Sequence, residues 1–128
     1  MERRLYQRVP VQISAIVTTG DGVRINVLAV DVSSDGLGVE CTIKQRNMIT
    51  PGGSFVRDGK PVAVSVDFHL PDADEPAAKI TARCHVVFSR RMSSDQCKIG
   101  LRYADIENDG YQRLVRFIDK ALITSVNE

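Results

Sequence analysis

Apolar and polar residues alternate along most of the chain between Val11 and Ala104, which is the periodicity of half-buried β-strands. The clearest run extends from Val62 to Leu70, where every second residue is apolar. Turn-forming sequences separate the runs, such as Gly20-Asp21-Gly22 after the first of them. The pattern predicts six strands, at residues 11–17, 23–31, 37–42, 62–70, 80–88 and 98–104.

The last part of the chain changes to a helical period. Its apolar residues recur at i, i+3, i+4, i+7 and i+11, namely Tyr111, Leu114, Val115, Ile118 and Leu122. This stripe predicts an amphipathic helix at about residues 108–125, whereas residues 44–61 lack a period and predict a loop with at most one short element. Six short antiparallel strands and one helix predict a mainly β fold, a six-stranded antiparallel barrel with a C-terminal α-helix over its open end, at residues 11–128.

Length and charge narrow the class of protein. The 128 residues suit one domain, and 17 Lys+Arg against 16 Asp+Glu give a net charge of +1. This balance argues against a protein that coats nucleic acid or an anionic membrane, and no apolar run approaches the ~20 residues of a membrane span. Cys41, Cys84 and Cys97 fall in no metal-binding spacing. We therefore expect no metal site, no nucleic-acid partner, no membrane insertion, and a cytoplasmic location with reduced thiols.

No catalytic motif is present in the sequence. The patterns of serine hydrolases, zinc proteases, P-loop proteins and dinucleotide-binding enzymes are missing. The two histidines, His69 and His85, lie on predicted strands and out of phase with the apolar residues, so we expect them to be exposed. The sequence therefore predicts a protein that is not an enzyme and has no catalytic residues.

Two polar clusters stand next to the first predicted hairpin. The first is the arm, residues 1–10, which contains Arg3, Arg4 and Arg8 and too few apolar residues to order itself, so we expect it to be flexible. The second is the turn at residues 31–36. The start of one strand and the end of the next lie at the same end of an antiparallel pair, so the arm and the turn are predicted neighbours. Guanidinium groups, a carboxylate and turn amides suit an anionic ligand with hydrogen-bonding base edges, such as a guanine nucleotide.

The spacing of these residues resembles the PilZ domain family. Arg4 and Arg8 form the pattern R-x-x-x-R, and Asp31, Ser33 and Gly36 form D-x-S-x-x-G one hairpin later. Members of that family bind the bacterial second messenger cyclic di-GMP on a six-stranded antiparallel barrel. The resemblance implies a free-standing, single-domain receptor with cyclic di-GMP as its ligand and no other cofactor.

The resemblance also implies a role for each motif residue. Arg4 and Arg8 would contact guanine edges and phosphates as the arm wraps over the ligand. Asp31 would accept hydrogen bonds from a guanine, and Ser33 would contact phosphate or brace the arm. Gly36 would let the chain turn where a side chain would clash.

The position before R-x-x-x-R bears on stoichiometry. In the family, an arginine at this position is associated with a stacked dimer of the nucleotide, and here the position holds Arg3. The resemblance therefore implies two nucleotides per chain. Since no output domain is recognisable, we expect the change in the arm to signal to a downstream protein partner.

Two other functions remain open. One is a PilZ-like interaction module that does not bind nucleotide, and the other is a small barrel that binds oligonucleotides. The second is disfavoured by an aromatic content of 5% and the absence of Trp. Phe88 aligns loosely with a base-stacking position in some family members, but it continues the apolar face that begins at Ile80, so we expect it in the core.

Overall fold

The computed structural model describes residues 7–71 and 78–126. Six long strands build the barrel: β1 (Val9–Thr18), β2 (Arg24–Val32), β3 (Gly36–Thr42), β6 (Ala63–Leu70), β7 (Ala78–Arg91) and β8 (Gln96–Ile106). Between β3 and β6 lie a short helix, a 3-10 turn and a small hairpin: α1 (Ile43–Ile49), Pro51–Gly53, β4 (Val56–Arg57) and β5 (Lys60–Pro61). The helix α2 (Gly110–Val126) follows β8.

The six long strands close into one antiparallel barrel. Their order around the barrel is β1-β2-β3-β8-β7-β6, and β6 pairs back with β1. The predicted mainly β fold, a six-stranded antiparallel barrel with a C-terminal helix, is therefore confirmed. Strand β1 begins at Val9, so it includes the last two residues of the predicted arm. Residues 1–6 of the arm lie outside the described residues, and its flexibility stays a prediction.

The alternating apolar residues of the strands are buried inside the barrel, as the sequence predicts. Side chains of successive strand residues point to opposite faces, so one set meets inside the barrel. Val17, Val66, Ile80 and Ile99 are fully buried there, and Phe68 is 1% exposed. Burial of this apolar set is the main force that holds the closed sheet together.

Residues 44–61, for which the sequence predicts a loop with at most one short element, instead hold most of helix α1, the 3-10 turn and the β4–β5 hairpin, so that prediction is wrong. The Thr42 hydroxyl accepts a hydrogen bond from the Gln45 amide at 3.0 Å, and the Gln45 side-chain oxygen accepts one from the Thr42 amide at 2.9 Å. This reciprocal pair is a capping box, which satisfies two amides at the start of the helix. The side-chain amide of Gln45 also donates to the Asn26 carbonyl at 3.0 Å and ties α1 to β2.

Helix α2 confirms the predicted amphipathic stripe. Leu114 and Ile118 are 0% and 5% exposed and belong to the barrel core. The helix packs against β7 and β1, so its apolar face covers one part of the barrel. Tyr111, at its start, is half exposed and stands outside this contact.

The described residues contain no helix that is both long and apolar enough to cross a membrane. Within the same ranges, no group of three His, Cys, Asp or Glu side chains could hold a metal ion. Of the two histidines, His69 is exposed, as predicted, and His85 is half-buried.

Candidate functional site

Asp31 lies on the outer wall of the barrel, where its carboxylate is held by two cations. Its Oδ1 accepts a hydrogen bond from Arg8 Nη1 at 2.8 Å, and its Oδ2 accepts one from Lys98 Nζ at 2.7 Å. Although it is on the outer wall, the Asp31 side chain is 13% exposed, because the other two side chains cover it. The predicted proximity of the arm and the turn is therefore confirmed for Arg8. We call Asp31, Arg8 and Lys98 the Asp31 cluster.

A break in the β2–β3 ladder directs Asp31 outwards. On β2, Ile25, Val27 and Ala29 point into the core, and strict alternation would place Asp31 with them. The register shifts between Ala29 and Asp31, which then pairs with Gly38. Such a bulge re-aims the side chains that follow it, so Asp31 faces outwards and Val32 is fully buried in its place.

The two cations control the ionisation of Asp31. Burial of the carboxyl would by itself raise its pKa, but the hydrogen bonds and charges of Lys98 and Arg8 outweigh burial and hold that pKa below its ordinary value. Asp31 is therefore an anion at neutral pH. Its ion pairs stabilise the fold above the pKa of the unfolded chain, and this stabilisation is lost as the pH falls through the lowered pKa of the folded state.

Ser33 organises the turn that follows β2. Its hydroxyl donates to the Asp35 carboxylate and accepts from the Gly36 amide at 3.2 Å, while its own amide donates to the Gly36 carbonyl at 2.8 Å. Ser33 is 1% exposed. In this structure its hydroxyl is therefore engaged within the turn, and contact with a ligand phosphate stays a prediction.

Gly36 stands where the chain enters β3 against β8. A Cβ at this position would lie 2.1 Å from the carbonyl oxygen of Leu101. Since that atom belongs to the paired backbone, it cannot move aside as a flexible side chain would. The close approach of the Leu101 carbonyl oxygen is therefore the steric reason for a glycine at this position.

Two further glycines beside Asp31 leave space on the outer wall that neighbouring side chains fill. Gly38 and Gly100 are register partners on β3 and β8, and both face outwards between buried neighbours. A Cβ on Gly38 would lie 2.8 Å from Asp31 Oδ2 and 2.8 Å from Lys98 Cε. The aliphatic stem of Lys98 therefore passes over Gly38, and any larger residue would displace it.

Phe88 corrects the sequence prediction that places it in the core. A register shift lies between Val86 and Phe88, so Phe88 pairs with Gly100 and shares its outward face. Its ring occupies the space of a Gly100 side chain, since a Cβ there would lie 2.1 Å from Cε1 of the ring. Phe88 is half-buried, and its ring covers Gly100 with aromatic surface.

The three cysteines are free and buried. Burial raises the pKa of the Cys41 thiol to about 11 and that of the Cys84 thiol to about 12. Both are therefore uncharged at neutral pH and poorly nucleophilic.

The sequence prediction is incomplete at this site. Arg8 and Asp31 are in contact, and Ser33 and Gly36 build the adjoining turn, whereas Arg3 and Arg4 lie outside the described residues. Lys98 was not predicted as a site residue. The available signal was its polar position on a predicted strand, but nothing local indicates that this strand lies beside β3.

Comparisons with known proteins place this barrel in a family. The model of the PilZ domain matches residues 2–120. The Bacillus subtilis inhibitor of motility, MotI/DgrA, is similar in structure, with a TM-score of 0.70 and 19% identity over 100% of this chain and 54% of that one. No curated protein sequence matches the chain.

Two structures with cyclic di-GMP are also similar. The PilZ domain of Escherichia coli YcgR has a TM-score of 0.63 and 9% identity, over 97% of this chain and 95% of that one. The K. pneumonia MrkH complex has a TM-score of 0.64 and 12% identity, over 99% and 56%. This chain spans about half the length of the MotI and MrkH structures. At these identities the likeness is one of fold.

The six strands close into a barrel, and an ion-paired aspartate lies on its outer wall. The protein therefore belongs to the class of small β-barrels that carry a polar site outside the apolar core. The match over residues 2–120 then identifies the family: the chain belongs to the PilZ domain family.

Gly36→Ala tests the close approach of β3 and β8. The added methyl group forces the two backbones apart, so we expect the free energy of unfolding to fall by about 1–3 kcal/mol in urea denaturation. Gly20→Ala is the matched control, since a Cβ at Gly20 meets nothing within 4 Å. Equal denaturation midpoints for the two variants would contradict the steric role of Gly36.

Proposed function

We propose that this protein is a receptor for cyclic di-GMP and binds it at the Asp31 cluster. The contact between Arg8 and Asp31 carries the proposal, because it joins one residue of each of the two motifs in a single ion pair. Membership of the PilZ domain family and the likeness to the YcgR and MrkH structures with cyclic di-GMP support it.

The chemistry of the cluster suits a guanine. The base offers an exocyclic amino group as a donor to a carboxylate, and its O6 and N7 accept an arginine fork. In the complex, Arg8 turns from Asp31 Oδ1 to a guanine edge or a phosphate, and a guanine N–H takes its place on the carboxylate. Arg4 supplies a second guanidinium from the arm.

The neighbouring wall suits a flat ring. The Lys98 stem lies over Gly38 and the Phe88 ring lies over Gly100, so the half-buried Phe88 ring is the flat apolar surface at this position. A purine that stacks on this ring would bury apolar surface without displacing the backbone. Ser33 and Gly36 keep the turn in place at the edge of this surface.

The same proposal covers how the signal leaves the protein. Binding draws the part of the arm that precedes β1 onto the barrel, and a downstream protein recognises the changed surface. We propose that the protein acts in the cytoplasm as a receptor without catalytic activity, as its three buried free cysteines and its family support.

Arg8→Ala tests the site. It removes a charged partner from a partly desolvated cluster, so we expect the affinity for cyclic di-GMP to fall by about 2–4 kcal/mol, or roughly 30- to 1000-fold, in calorimetry. Arg24→Ala, an exposed arginine at the start of β2, is the matched control and should bind as the parent does. If Arg8→Ala binds as tightly as the parent, the site is elsewhere, and if the parent does not bind at all, the receptor proposal is wrong.

Amide exchange tests the arm. Cyclic di-GMP at saturation should slow hydrogen exchange in residues 2–8, because the arm gains contacts with the ligand and the barrel. Exchange in α2 should remain unchanged and provides the internal control. Equal rates in the arm with and without the ligand would contradict signalling through this segment.

Arg3 tests the stoichiometry. A guanidinium at this position can lie on a guanine face or bridge phosphates of a second, stacked nucleotide. Calorimetry with excess nucleotide should give two ligands per chain, and Arg3→Leu should shift the ratio towards one. One ligand per parent chain would exclude the stacked dimer while leaving the receptor proposal in place.

A further inference from the structure

The two cations on Asp31 are held in different ways. Arg8 precedes the first residue of β1, and its side chain is 28% exposed. Lys98 lies inside β8, which pairs with β3 on one side and β7 on the other, and its side chain is 19% exposed. Its stem is packed over Gly38. Arg8 is therefore the cation that can leave, and Lys98 is the one that stays.

The departure of Arg8 would leave the carboxylate in a difficult environment. Asp31 is 13% exposed, and a buried carboxylate without a counter-charge tends to take up a proton. A protonated carboxyl presents an O–H donor where the ionised group presents an acceptor, so it can no longer accept a hydrogen bond from a base at that position. A binding mode that uses Arg8 on the nucleotide thus needs a second cation on Asp31.

We propose that Lys98 is this fixed counter-ion: it stays on Asp31 Oδ2 while the ligand replaces Arg8 on Oδ1, and it keeps the carboxylate charged and oriented towards the base. The inference rests on the proposed nucleotide-binding function, and it assigns Lys98 as a positioning residue. It also accounts for Gly38, since a side chain at that position would push Lys98 away from the carboxylate.

Other charged groups lie near the ion pair of Lys98 and Asp31. Glu40 on β3 and Arg90 on β7 are the register partners of Lys98 and share its outward face. Glu40 is an alternative partner for the ammonium group, and Arg90 adds positive charge beside it. Asp35 lies in the adjoining turn, where the Ser33 hydroxyl engages its carboxylate.

Lys98→Met and Lys98→Arg separate the charge from the packing. Methionine keeps an unbranched stem over Gly38 without the charge, and arginine keeps the charge. In calorimetry with cyclic di-GMP we expect Lys98→Met to bind about tenfold more weakly than the parent at pH 7.5, with a larger deficit at pH 5.0. Lys98→Arg should bind within about threefold of the parent at both pH values.

A second measurement needs no ligand. In Arg8→Ala, which imitates the departure of Arg8, the Asp31 carboxyl resonance should still titrate at low pH in NMR, because Lys98 remains. In the double variant Arg8→Ala/Lys98→Met, the pKa of Asp31 should rise. If the titration midpoint of Asp31 in the double variant equals that in Arg8→Ala, the inference is wrong, even if the parent binds no nucleotide.

The two proposals fail in different ways. A parent protein that does not bind cyclic di-GMP contradicts the proposed function, and the carboxyl titration then still decides the role of Lys98. If the parent binds and Lys98→Met binds equally well at both pH values, the function stands and the inference is wrong. If Lys98→Arg binds as weakly as Lys98→Met, the inference is also wrong, because Lys98→Arg keeps the positive charge that the inference requires.

Discussion

Closure of six antiparallel strands into one ladder assigns each strand residue either to the interior or to the outer wall. Val66 and Ile80 point to the inside because the neighbouring strands β6 and β7 pair in register, so that their apolar residues share one face. With the apolar residues inside, the remaining positions of the same strands become a surface whose backbone is already rigid. The site is built on that surface, so its position depends on the same pairing that makes the core.

Register shifts in the ladder create two exceptions to strict alternation, at Asp31 and at Phe88. Without the shift in β2, Asp31 would point into an apolar interior, where a carboxylate is strongly disfavoured. Without the shift in β7, Phe88 would be a core residue. Each shift turns onto the outer wall a residue that strict alternation would place in the core. Asp31 then pairs with Gly38, and Phe88 pairs with Gly100. The outward positions of Asp31 and Phe88 are thus a consequence of two local breaks in pairing.

The ion pairs of the Asp31 cluster stabilise the free protein and belong to the proposed binding site. In the free protein the carboxylate is satisfied by its own cations, so the largely buried charge has counter-charges and hydrogen bonds. Under the proposed function, a ligand must therefore exchange with a partner that is already in place. Exchange is easier for Arg8, at the start of a strand, than for Lys98, in the middle of one, and this difference in anchoring gives the site a fixed part and a movable part.

The sequence by itself determined the six strands, the terminal helix and the proximity of Arg8 and Asp31, which are 23 residues apart and joined through one hairpin. These features depend on local periodicity and on the geometry of neighbouring strands, which a single sequence contains. The capping box at Thr42 was also visible in the sequence and was missed. Only the tertiary structure decided that Lys98, 67 residues from Asp31, would lie beside it, and that Asp31 and Phe88 would face outwards. The physical reason is that register shifts and the pairing of β3 with β8 depend on how distant strands fit together, and alternation within one strand does not encode that fit.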